Sequence, residues 1–412
     1  MKNFTDVAII GAGPYALSLA AHLRETGLSF RIFGKPLDSW REHMPSDMLL
    51  KSDGFASNLS APALDSTLKA YCAQHELAYH DTDLPVRLDV FNAYAEAFQW
   101  RFVPNVEAKD VSVLERKGAE FALTLDTGEQ LMARHVVLAV GITHFASMPE
   151  ELKHIPKNFR SHSFHHRDPD QFYRRDVVVI GAGASAMDIA SRLADCGASV
   201  RIVAREKKIR WHNPPSARNV FSWLTQPSSG IGPGWRSLFC TKLPQLFHAL
   251  PQALRLRIAR RHLGPAPGWF TRARIEGRIP ILLGNELVGA ALRGHKIGLT
   301  LARGSKEDEI FCDHVIAATG YKTDMSRLSF VDQRLLREIR QVDNTPVLSA
   351  QFETSVRGLY VVGPAATNSF GPMMRFMYGS QYTSPLLARH LKKRLKRSTR
   401  SKPLAGRTFK PA

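Results

Sequence analysis

Two stretches of the chain share one pattern of apolar and polar positions. Each opens with a short apolar run, Val7–Ile10 in the first and Val177–Ile180 in the second, and continues into a helix-forming segment. Short, continuous, β-branched runs are typical of buried parallel strands. Further apolar runs, "LSFRIF" after the first helix and "ASVRIVA" after the second, supply the neighbouring strands. The pattern therefore predicts two βαβ units in an α/β chain.

Glycines occupy the turn between strand and helix in both units. In the first unit Gly11 permits the tight turn, Gly13 lets the backbone approach a pyrophosphate, and Ala16 lets the helix pack closely on the strand. Pro14 at the first helical position loses no hydrogen bond, because an N–H would have no helical partner there. The helix N-terminus then directs its N–H groups and its dipole at the phosphates.

The second unit repeats this fingerprint with Gly181, Gly183 and Ala186. Its helix is expected to end near Cys196, with Gly197 as the C-cap. One GxGxxG pattern is weak evidence, because glycine turns are common. Two copies, each inside a complete βαβ pattern, indicate two Rossmann-like dinucleotide-binding domains.

A longer repeat indicates how the two domains share the chain. Residues 121–141 and 297–320 each read as a strand, a polar glycine turn and a second strand that ends in glycine. Each fingerprint therefore has its own hairpin and closing strand, and the second domain is inserted in the first. The predicted division is 1–150 with 300–391 for the first domain, 151–299 for the second with a helical insertion at 211–280, and a basic disordered tail at 392–412.

The insertion at 211–280 is too long for a loop within a dinucleotide-binding domain. Its apolar residues have helical spacing, and Pro244 and Pro251 are placed to start short helices. Three interpretations stay open: a packed helical insertion, a lid that covers substrate, and a basic amphipathic membrane anchor.

Composition narrows the class of protein. The 412 residues are 44% hydrophobic, which is ordinary for a globular chain, and no apolar run approaches the length of a membrane span. The four cysteines form no CxxC pair. This favours a reducing cytoplasm and argues against a dithiol redox centre.

The net charge is +19, and ten Lys or Arg with no Asp or Glu follow from Arg389 onward. The bland interpretation of this segment is a solvated, disordered tail. Contact with nucleic acid or weak peripheral contact with an acidic membrane are the alternatives. Aromatic residues do not alternate with the charges, so no nucleic-acid partner is expected.

Both fingerprints, together with "VIAATGYKTD" at 315–324, resemble class B flavin-dependent monooxygenases, the group that contains flavin-containing monooxygenases, Baeyer–Villiger monooxygenases and amine N-hydroxylases. The resemblance covers roughly residues 5–391 and implies that the first fingerprint binds FAD and the second binds NADPH. It also implies a monooxygenase that uses O2 and a small-molecule substrate and acts through a C4a-(hydro)peroxyflavin.

The FAD contacts are predicted from the fingerprint and from this resemblance. Where the family has an acid that binds the adenosine ribose, this chain has Phe33-Gly34-Lys35, so Lys35 and the nearby Asp38 are only candidates. The predicted FAD residues are Gly11, Gly13, Pro14, Ala16, Lys35, Asp38, Trp40, Gly141, Gly320, Gly363 and Gly371.

The NADPH contacts follow from the second fingerprint, in which Ser185 and Asp188 match the G-x-G-x-S-x-x-D form of the family. Arg205 follows the second strand at the place where an arginine accommodates the 2′-phosphate of NADP. The predicted NADP residues are Gly181, Gly183, Ser185, Ala186, Arg205 and Lys207.

No catalytic residue is identified. Asn58 and Asn368 are weak candidates for the asparagine that flavin-containing monooxygenases hold beside the flavin. The linker signature of that subgroup is F-x-G-x-x-x-H. In this chain Ser161 replaces its glycine, whereas its histidine is present as His165. The neighbouring histidines lack metal-site spacing, so no metal is expected.

The segment 361–379 reads as a strand, a loop and the start of a helix that would run from Pro372 to about Lys393. Related two-dinucleotide flavoproteins point this helix N-terminus at the flavin. Two other functions stay open: an NAD(P)H-dependent flavoprotein reductase without oxygen insertion, and a non-catalytic binding protein. At the level of substrate, urate or a related heterocycle is one guess, because urate hydroxylation is an activity of compact bacterial members.

Overall fold

The computed structural model describes residues 3–212, 224–264 and 266–400. Its α-helices are α1 (Pro14–Arg24), α2 (Asp38–Arg41), α3 (Leu68–Gln74), α4 (Leu88–Phe102), α5 (Glu150–Lys153), α6 (Ala184–Asp195), α7 (Trp235–Lys242), α8 (Pro244–Ala249), α9 (Gln252–Arg261), α10 (Trp269–Ile275), α11 (Gln333–Glu338), α12 (Thr367–Phe370) and α13 (Ser380–Arg400). Its strands are β1 (Phe4–Ile10), β2 (Phe30–Phe33), β3 (Val106–Glu107), β4 (Val111–Lys117), β5 (Glu120–Leu125), β6 (Gln130–Leu138), β7 (Arg160–His162), β8 (Asp176–Ile180), β9 (Ser199–Ala204), β10 (Ile281–Leu283), β11 (Glu286–Arg293), β12 (Lys296–Arg303), β13 (Lys306–Cys312), β14 (His314–Ala317), β15 (Gln341–Val342), β16 (Thr345–Pro346) and β17 (Leu359–Val361).

The first domain is built on a sheet with the order β3-β2-β1-β6-β5-β4. Strands β1, β2, β3 and β6 run parallel, and β17 joins beside the carboxyl half of β6. The strands β4 and β5 extend the sheet as an antiparallel hairpin. Val7 and Ile9 of β1 are fully buried, as expected for an apolar strand in the middle of a parallel sheet.

The second domain repeats the parallel core with the order β10-β9-β8-β14-β7. Its hairpin strands β12 and β13 join β11 in a separate antiparallel sheet. The two predicted βαβ units and the α/β fold class are therefore confirmed.

The boundary predicted at residue 300 falls too early. Strand β14 pairs in parallel with β8 and β7, so the chain stays in the second domain through Ala317. The physical reason is that β14 is the closing parallel strand of the second unit, as β6 is of the first. We therefore propose that the chain returns to the first domain after Gly320.

The predicted insertion is helical; its α7 and α8 pack on the first domain, whereas Ile275 of α10 is buried in the core of the second domain. Pro244 stands at the first position of α8, and Pro251 is the N-cap of α9, as the sequence predicts. Ile231, Cys240 and Phe247 are buried in the same core as the first sheet. The predicted stretch 211–280 includes residues 213–223 and 265, which lie outside the described residues.

The helix predicted from Pro372 to about Lys393 is wrong at both ends. The segment forms 3₁₀ turns at Pro372–Arg375 and Met377–Gly379, and the α-helix α13 begins only at Ser380. Phe376 between the turns is extended, with φ −109° and ψ 148°, which interrupts the helix.

At its other end α13 continues to Arg400, so residues 392–400 of the predicted tail are helical. The rest of that tail, 401–412, lies outside the described residues. Among the helices that the structure does describe, none is both long enough and apolar enough to cross a lipid bilayer.

Candidate functional site

The turns after β1 and β8 have nearly the same backbone geometry. Gly13 caps α1 with φ −84° and ψ −173°, and Gly183 caps α6 with φ −84° and ψ −178°. Neither helix has a side-chain cap or an acidic residue in its first turn. The first N–H groups of both helices are thus available to an anion.

The first glycine of each fingerprint is held against the closing strand of its own sheet. Gly11 has φ +110° and Gly181 has φ +138°, values that side chains rarely tolerate. A Cβ on Gly11 would overlap the carbonyl oxygen of Ala139, and a Cβ on Gly181 would overlap that of Ala318. A Cβ on Gly13, in contrast, would meet nothing within 4 Å, so open space lies before α1. The turn from Gly11 to Gly13 and the N-terminus of α1 together form a phosphate cradle, which fits the pyrophosphate of a dinucleotide.

Three other predicted FAD glycines follow the ends of parallel strands. Gly141 comes after β6 with φ +64°, and Gly363 comes after β17 with φ +78° and lies against the ring of Tyr15. Gly320 comes after β14, where its carbonyl oxygen accepts a hydrogen bond from Ser147 N at 2.8 Å. Gly141 and Gly363 thus share an edge of the first sheet, whereas Gly320 lies where the chain passes between the domains.

The residues after β2, where the sequence predicts the FAD ribose, include a glycine with positive φ. Gly34 has φ +126°, and a Cβ there would lie 3.3 Å from Ala12 N, which disfavours an acidic residue at this position. Lys35 is exposed, and Asp38 Oδ2 lies 3.3 Å from His43 Nε2. Trp40 packs on Phe91 with ring centroids 4.6 Å apart.

Tyr15, which the sequence analysis did not single out, joins α1 to the segment before α13. Its hydroxyl oxygen lies 2.8 Å from the carbonyl oxygen of Phe376 and 3.1 Å from that of Met374. Burial raises the pKa of this phenol well above its usual value, so the hydroxyl stays protonated and donates. A tyrosine in the first turn of a fingerprint helix is the signal that could have identified it.

The asparagine candidates both have partners in the protein. The Nδ2 of Asn58 donates to Phe55 O at 2.9 Å, and its Oδ1 accepts from Leu68 N at 2.7 Å. The Nδ2 of Asn368 donates to Thr345 Oγ1 at 2.8 Å. Both ends of the Asn58 amide therefore hold local structure together, and we do not carry it into the proposed site.

The predicted NADP residues surround the end of β9 and the start of α6. Arg205 is 77% exposed and lies 3.5 Å from the Glu206 carboxylate, and Lys207 is exposed beside it. Ser185 is exposed in the first turn of α6, whereas Ala186 is fully buried, as expected for the position that packs the helix on the strand.

Two titratable side chains whose proximity the sequence analysis did not predict, Asp188 and Lys51, lie between the domains. Burial raises the pKa of Asp188 on α6, and Thr271 Oγ1 donates to its Oδ1 at 3.2 Å. Lys51, from a loop of the first domain, keeps some solvent access, yet the surrounding protein atoms lower its pKa, while the charge of Asp188 acts in the opposite direction. The contact between the two domains therefore brings a lysine and an aspartate close enough to influence each other's pKa.

Ion pairs join the same loop of the first domain to the second domain. The guanidinium of Arg192, only 13% exposed, bonds Asp47 and lies 2.8 Å from Asp168. Arg274 lies 3.4 Å from Asp47 and 2.5 Å from Asp195. Asp47 thus connects the first domain to both α6 and α10.

The histidine-rich linker forms a hydrogen-bonded chain around Ser161. Its Oγ lies 2.6 Å from His166 Nε2 and 2.8 Å from His314 Nε2. Gln171 Nε2 lies 3.1 Å from His166 Nδ1, and His314 Nδ1 lies 3.2 Å from Asn158 O. Burial lowers the pKa of both rings to about 4, so both are neutral near pH 7. The serine that replaces the family's glycine is part of this network.

Among the residues that the structure describes, no three His, Cys, Asp or Glu side chains are arranged to hold a metal ion. All four cysteines, Cys72, Cys196, Cys240 and Cys312, are free thiols.

Comparisons with known proteins agree with this architecture. A family model described as pyridine nucleotide-disulphide oxidoreductase matches residues 8–226, just over half of the chain. A model described as FAD binding domain matches residues 176–369. The second match covers the domain to which we assign NADPH. Because both domains carry the same fingerprint, the assignment of each cofactor to its domain is our proposal.

The curated relatives include several kinds of oxidoreductase. An uncharacterized CzcO-like oxidoreductase of Geobacillus kaustophilus is 28% identical over 199 residues, which cover 47% of this chain and 53% of the relative. A ferredoxin–NADP reductase of Ignicoccus hospitalis is 27% identical over 50% of this chain and 58% of its own. The chain thus spans little more than half the length of these two relatives. Indole-3-pyruvate monooxygenase YUCCA1 of Oryza sativa is 27% identical over 77% of each chain.

Among solved structures, the ornithine N-hydroxylase of Kutzneria sp. 744, solved with reduced FAD, NADP⁺ and L-ornithine, has a TM-score of 0.75. It is 17% identical, and the superposition covers 95% of this chain and all of that one. This superposition confirms the predicted fold, that of class B flavin-dependent monooxygenases. The two matched family models name FAD and a pyridine nucleotide, in agreement with the predicted cofactor classes, and the choice of NADPH stays a prediction. The chain belongs to the pyridine nucleotide-disulphide oxidoreductase family.

Proposed function

We propose that this chain is an FAD- and NADPH-dependent monooxygenase. In the proposed reaction NADPH, a proton, O2 and a small organic substrate give NADP⁺, water and a substrate that carries one additional oxygen atom. The observation that carries the proposal is the pair of equivalent phosphate cradles at Gly13 and Gly183, held in one chain and free of side-chain caps.

In this proposal the first cradle binds FAD through Gly11, Gly13, Pro14 and Ala16, and the exposed Arg205 and Lys207 bind the 2′-phosphate of NADPH. When bound, FAD supplies the acceptor for the hydride and the site at which O2 is activated. The chain's own residues bind the two cofactors, fix their separation and exclude water.

In this proposal the helical insertion excludes water from the site. A Cβ on Gly371 would lie 3.2 Å from the ring of the buried Phe247 of α8, so this helix lies directly on the segment before α13. Next to it the His248 ring stacks on Phe370 with centroids 4.8 Å apart. We propose that this contact closes the end of the site against solvent, the role predicted for a lid.

A reductase without oxygen insertion is the second candidate, because relatives of this chain are named ferredoxin–NADP reductase. The disulfide-reducing branch is disfavoured, because the four cysteines are separate free thiols and three of them are buried. Burial raises the pKa of the Cys240 thiol to about 11 and that of Cys312 to about 12, which opposes thiolate chemistry.

The test is a substrate screen under air that follows NADPH oxidation and hydrogen peroxide release together. Amines and heterocycles, urate among them, are the first compounds to add. A monooxygenase substrate should speed NADPH oxidation and lower the peroxide formed per NADPH. The reductase would be favoured if, with every compound, the amount of hydrogen peroxide released equalled the amount of NADPH oxidised and ferredoxin or a dye was reduced rapidly.

A further inference from the structure

The chain from residue 207 to residue 275 contains twelve Lys or Arg residues and no Asp or Glu. This segment contributes +12 to the protein's net charge of +19. Eight of the twelve lie on α7, α9 and α10, so much of this charge is on folded helices and not only on the C-terminal tail.

The same segment exposes large apolar side chains, which folded proteins usually bury unless the surface has a partner. Trp235 is 61% exposed, and its Nε1 donates to the carbonyl oxygen of Leu224 at 2.9 Å, which places the indole beside Leu224. Leu224, Leu246, Leu243 and Leu254 are 66%, 53%, 49% and 42% exposed.

These apolar residues alternate with cations on the outward sides of consecutive helices. On α7, Lys242 is seven residues from Trp235, so both lie on one side of the helix. Helix α8 buries Pro244 and Phe247 against the first domain and leaves Leu246 outward.

Helix α9 continues the alternation. Leu254, Arg257 and Arg261 have i, i+3, i+7 spacing and are all exposed. Its opposite side faces the protein, where Ala259 is buried and Arg255 Nη1 donates to Ser369 O at 3.3 Å. We call a set of exposed side chains on these three helices the outer face of the insertion, which consists of Trp235, Lys242, Leu246, Leu254, Arg257 and Arg261.

Within the part of the chain that the structure describes, the cations of the outer face have no acidic partners. Lys242, Arg257 and Arg261 form no ion pair with any residue in the described parts of the chain. A surface of unpaired Lys and Arg with Trp and Leu between them matches a bilayer with anionic headgroups, since the cations meet the headgroups and the apolar side chains enter the acyl boundary. A nucleic acid would satisfy the cations but would leave the leucines in water.

We infer that the outer face of the insertion docks on an anionic lipid surface. This inference is independent of the proposed reaction, because it concerns exposed side chains that belong to neither phosphate cradle.

Vesicle flotation of the FAD-loaded protein tests it, with neutral phosphatidylcholine vesicles compared with vesicles that also contain phosphatidylglycerol. The wild type should float with the anionic vesicles only and should be released by high salt. The double variants Trp235→Ser/Leu246→Ser and Arg257→Glu/Arg261→Glu should each lower the partition coefficient by about tenfold or more.

Matched controls lie on the first domain. Trp100 is 65% exposed, close to the value for Trp235, so Trp100→Ser should float like the wild type. Arg334→Glu/Arg337→Glu reverses two exposed charges elsewhere and should reduce binding by about twofold to fivefold at most. FAD content and unfolding midpoint of every variant report on folding separately.

The inference is overturned if both outer-face variants float like the wild type. It is also overturned if a chain that ends at residue 400 no longer floats, because the C-terminal tail would then account for the binding. Capture of duplex DNA without any binding to anionic vesicles would replace it with a nucleic-acid surface.

Discussion

The carbonyl oxygen of Ala139 occupies the space that a side chain on Gly11 would need. Because Gly11 also has φ +110°, only glycine fits there without strain. Ala318 stands in the same relation to Gly181 in the second domain. Each fingerprint turn is therefore fixed on the closing strand of its own sheet, and the two cradles are built in the same way.

Replacing two glycines of the first cradle should have different effects, one on FAD affinity and the other on the stability of the apoprotein. Gly13→Val should fold, since a Cβ there meets nothing within 4 Å, but the side chain should fill the space for pyrophosphate and lower FAD affinity by about tenfold or more. Gly11→Ala should lower the stability of the apoprotein itself, by about 1–3 kcal/mol for the backbone strain alone. Flavin content and the unfolding midpoint of the apoproteins distinguish the two. A Gly13→Val protein saturated with FAD would contradict the assignment.

Arg205 should select NADPH over NADH. Replacing it with alanine removes charge-assisted hydrogen bonds to the 2′-phosphate, which should raise KM for NADPH by about tenfold and leave KM for NADH within about twofold. Steady-state kinetics with both coenzymes measure this. Arg303→Ala, an exposed arginine of the same domain, is the control and should change neither constant. Equal effects of Arg205→Ala on both coenzymes would show that Arg205 contributes only surface charge.

Tyr15→Phe should weaken the connection between α1 and the segment before α13. The variant keeps the buried ring and loses the hydrogen bonds to the carbonyl oxygens of Met374 and Phe376, so the free energy of unfolding should fall by about 1 kcal/mol. Urea denaturation of the holoprotein measures the change. Tyr173→Phe removes an exposed hydroxyl and should be neutral. Equal midpoints for Tyr15→Phe and the wild type would show that the contact adds no stability.

Stability should fall as pH is lowered from about 6.5 toward 4. Burial holds the pKa of His166 and of His314 at about 4 in the folded chain, so the unfolded chain binds more protons in this window. Each ring contributes a loss of roughly 1.4 kcal/mol per pH unit within it. Urea denaturation at pH 7 and pH 5 should show a smaller difference for His166→Gln than for the wild type. His80→Gln, at an exposed site, should keep the full difference; the same slope for all three proteins would contradict this account.

Local sequence patterns predicted most of the fold. The glycine turns, the proline at the start of α8 and the repeated hairpins are all signals within about thirty residues, which is the scale of a βαβ unit. They predicted both sheets and the helical nature of the insertion.

Long-range packing decided the features that were missed. The partners of Tyr15 lie near residue 375, and the pair of Lys51 and Asp188 forms only because a loop of one domain meets a helix of the other. The continuous helix predicted from Pro372 is interrupted at Phe376, where the segment turns to meet Tyr15. No local sequence signal specifies the partners in these contacts, because each depends on how distant parts of the chain pack together.

The fate of the oxygen atoms of O2 tests the central claim most directly. Enzyme loaded with FAD is supplied with NADPH and isotopically labelled O2 in the presence of a compound that speeds NADPH oxidation. The mass of the product is then measured by mass spectrometry. The account predicts a product that carries one labelled oxygen atom for each NADPH consumed in coupled turnover. Unlabelled or unchanged compound, with all the label in hydrogen peroxide and electrons passing efficiently to ferredoxin or a dye, would contradict it.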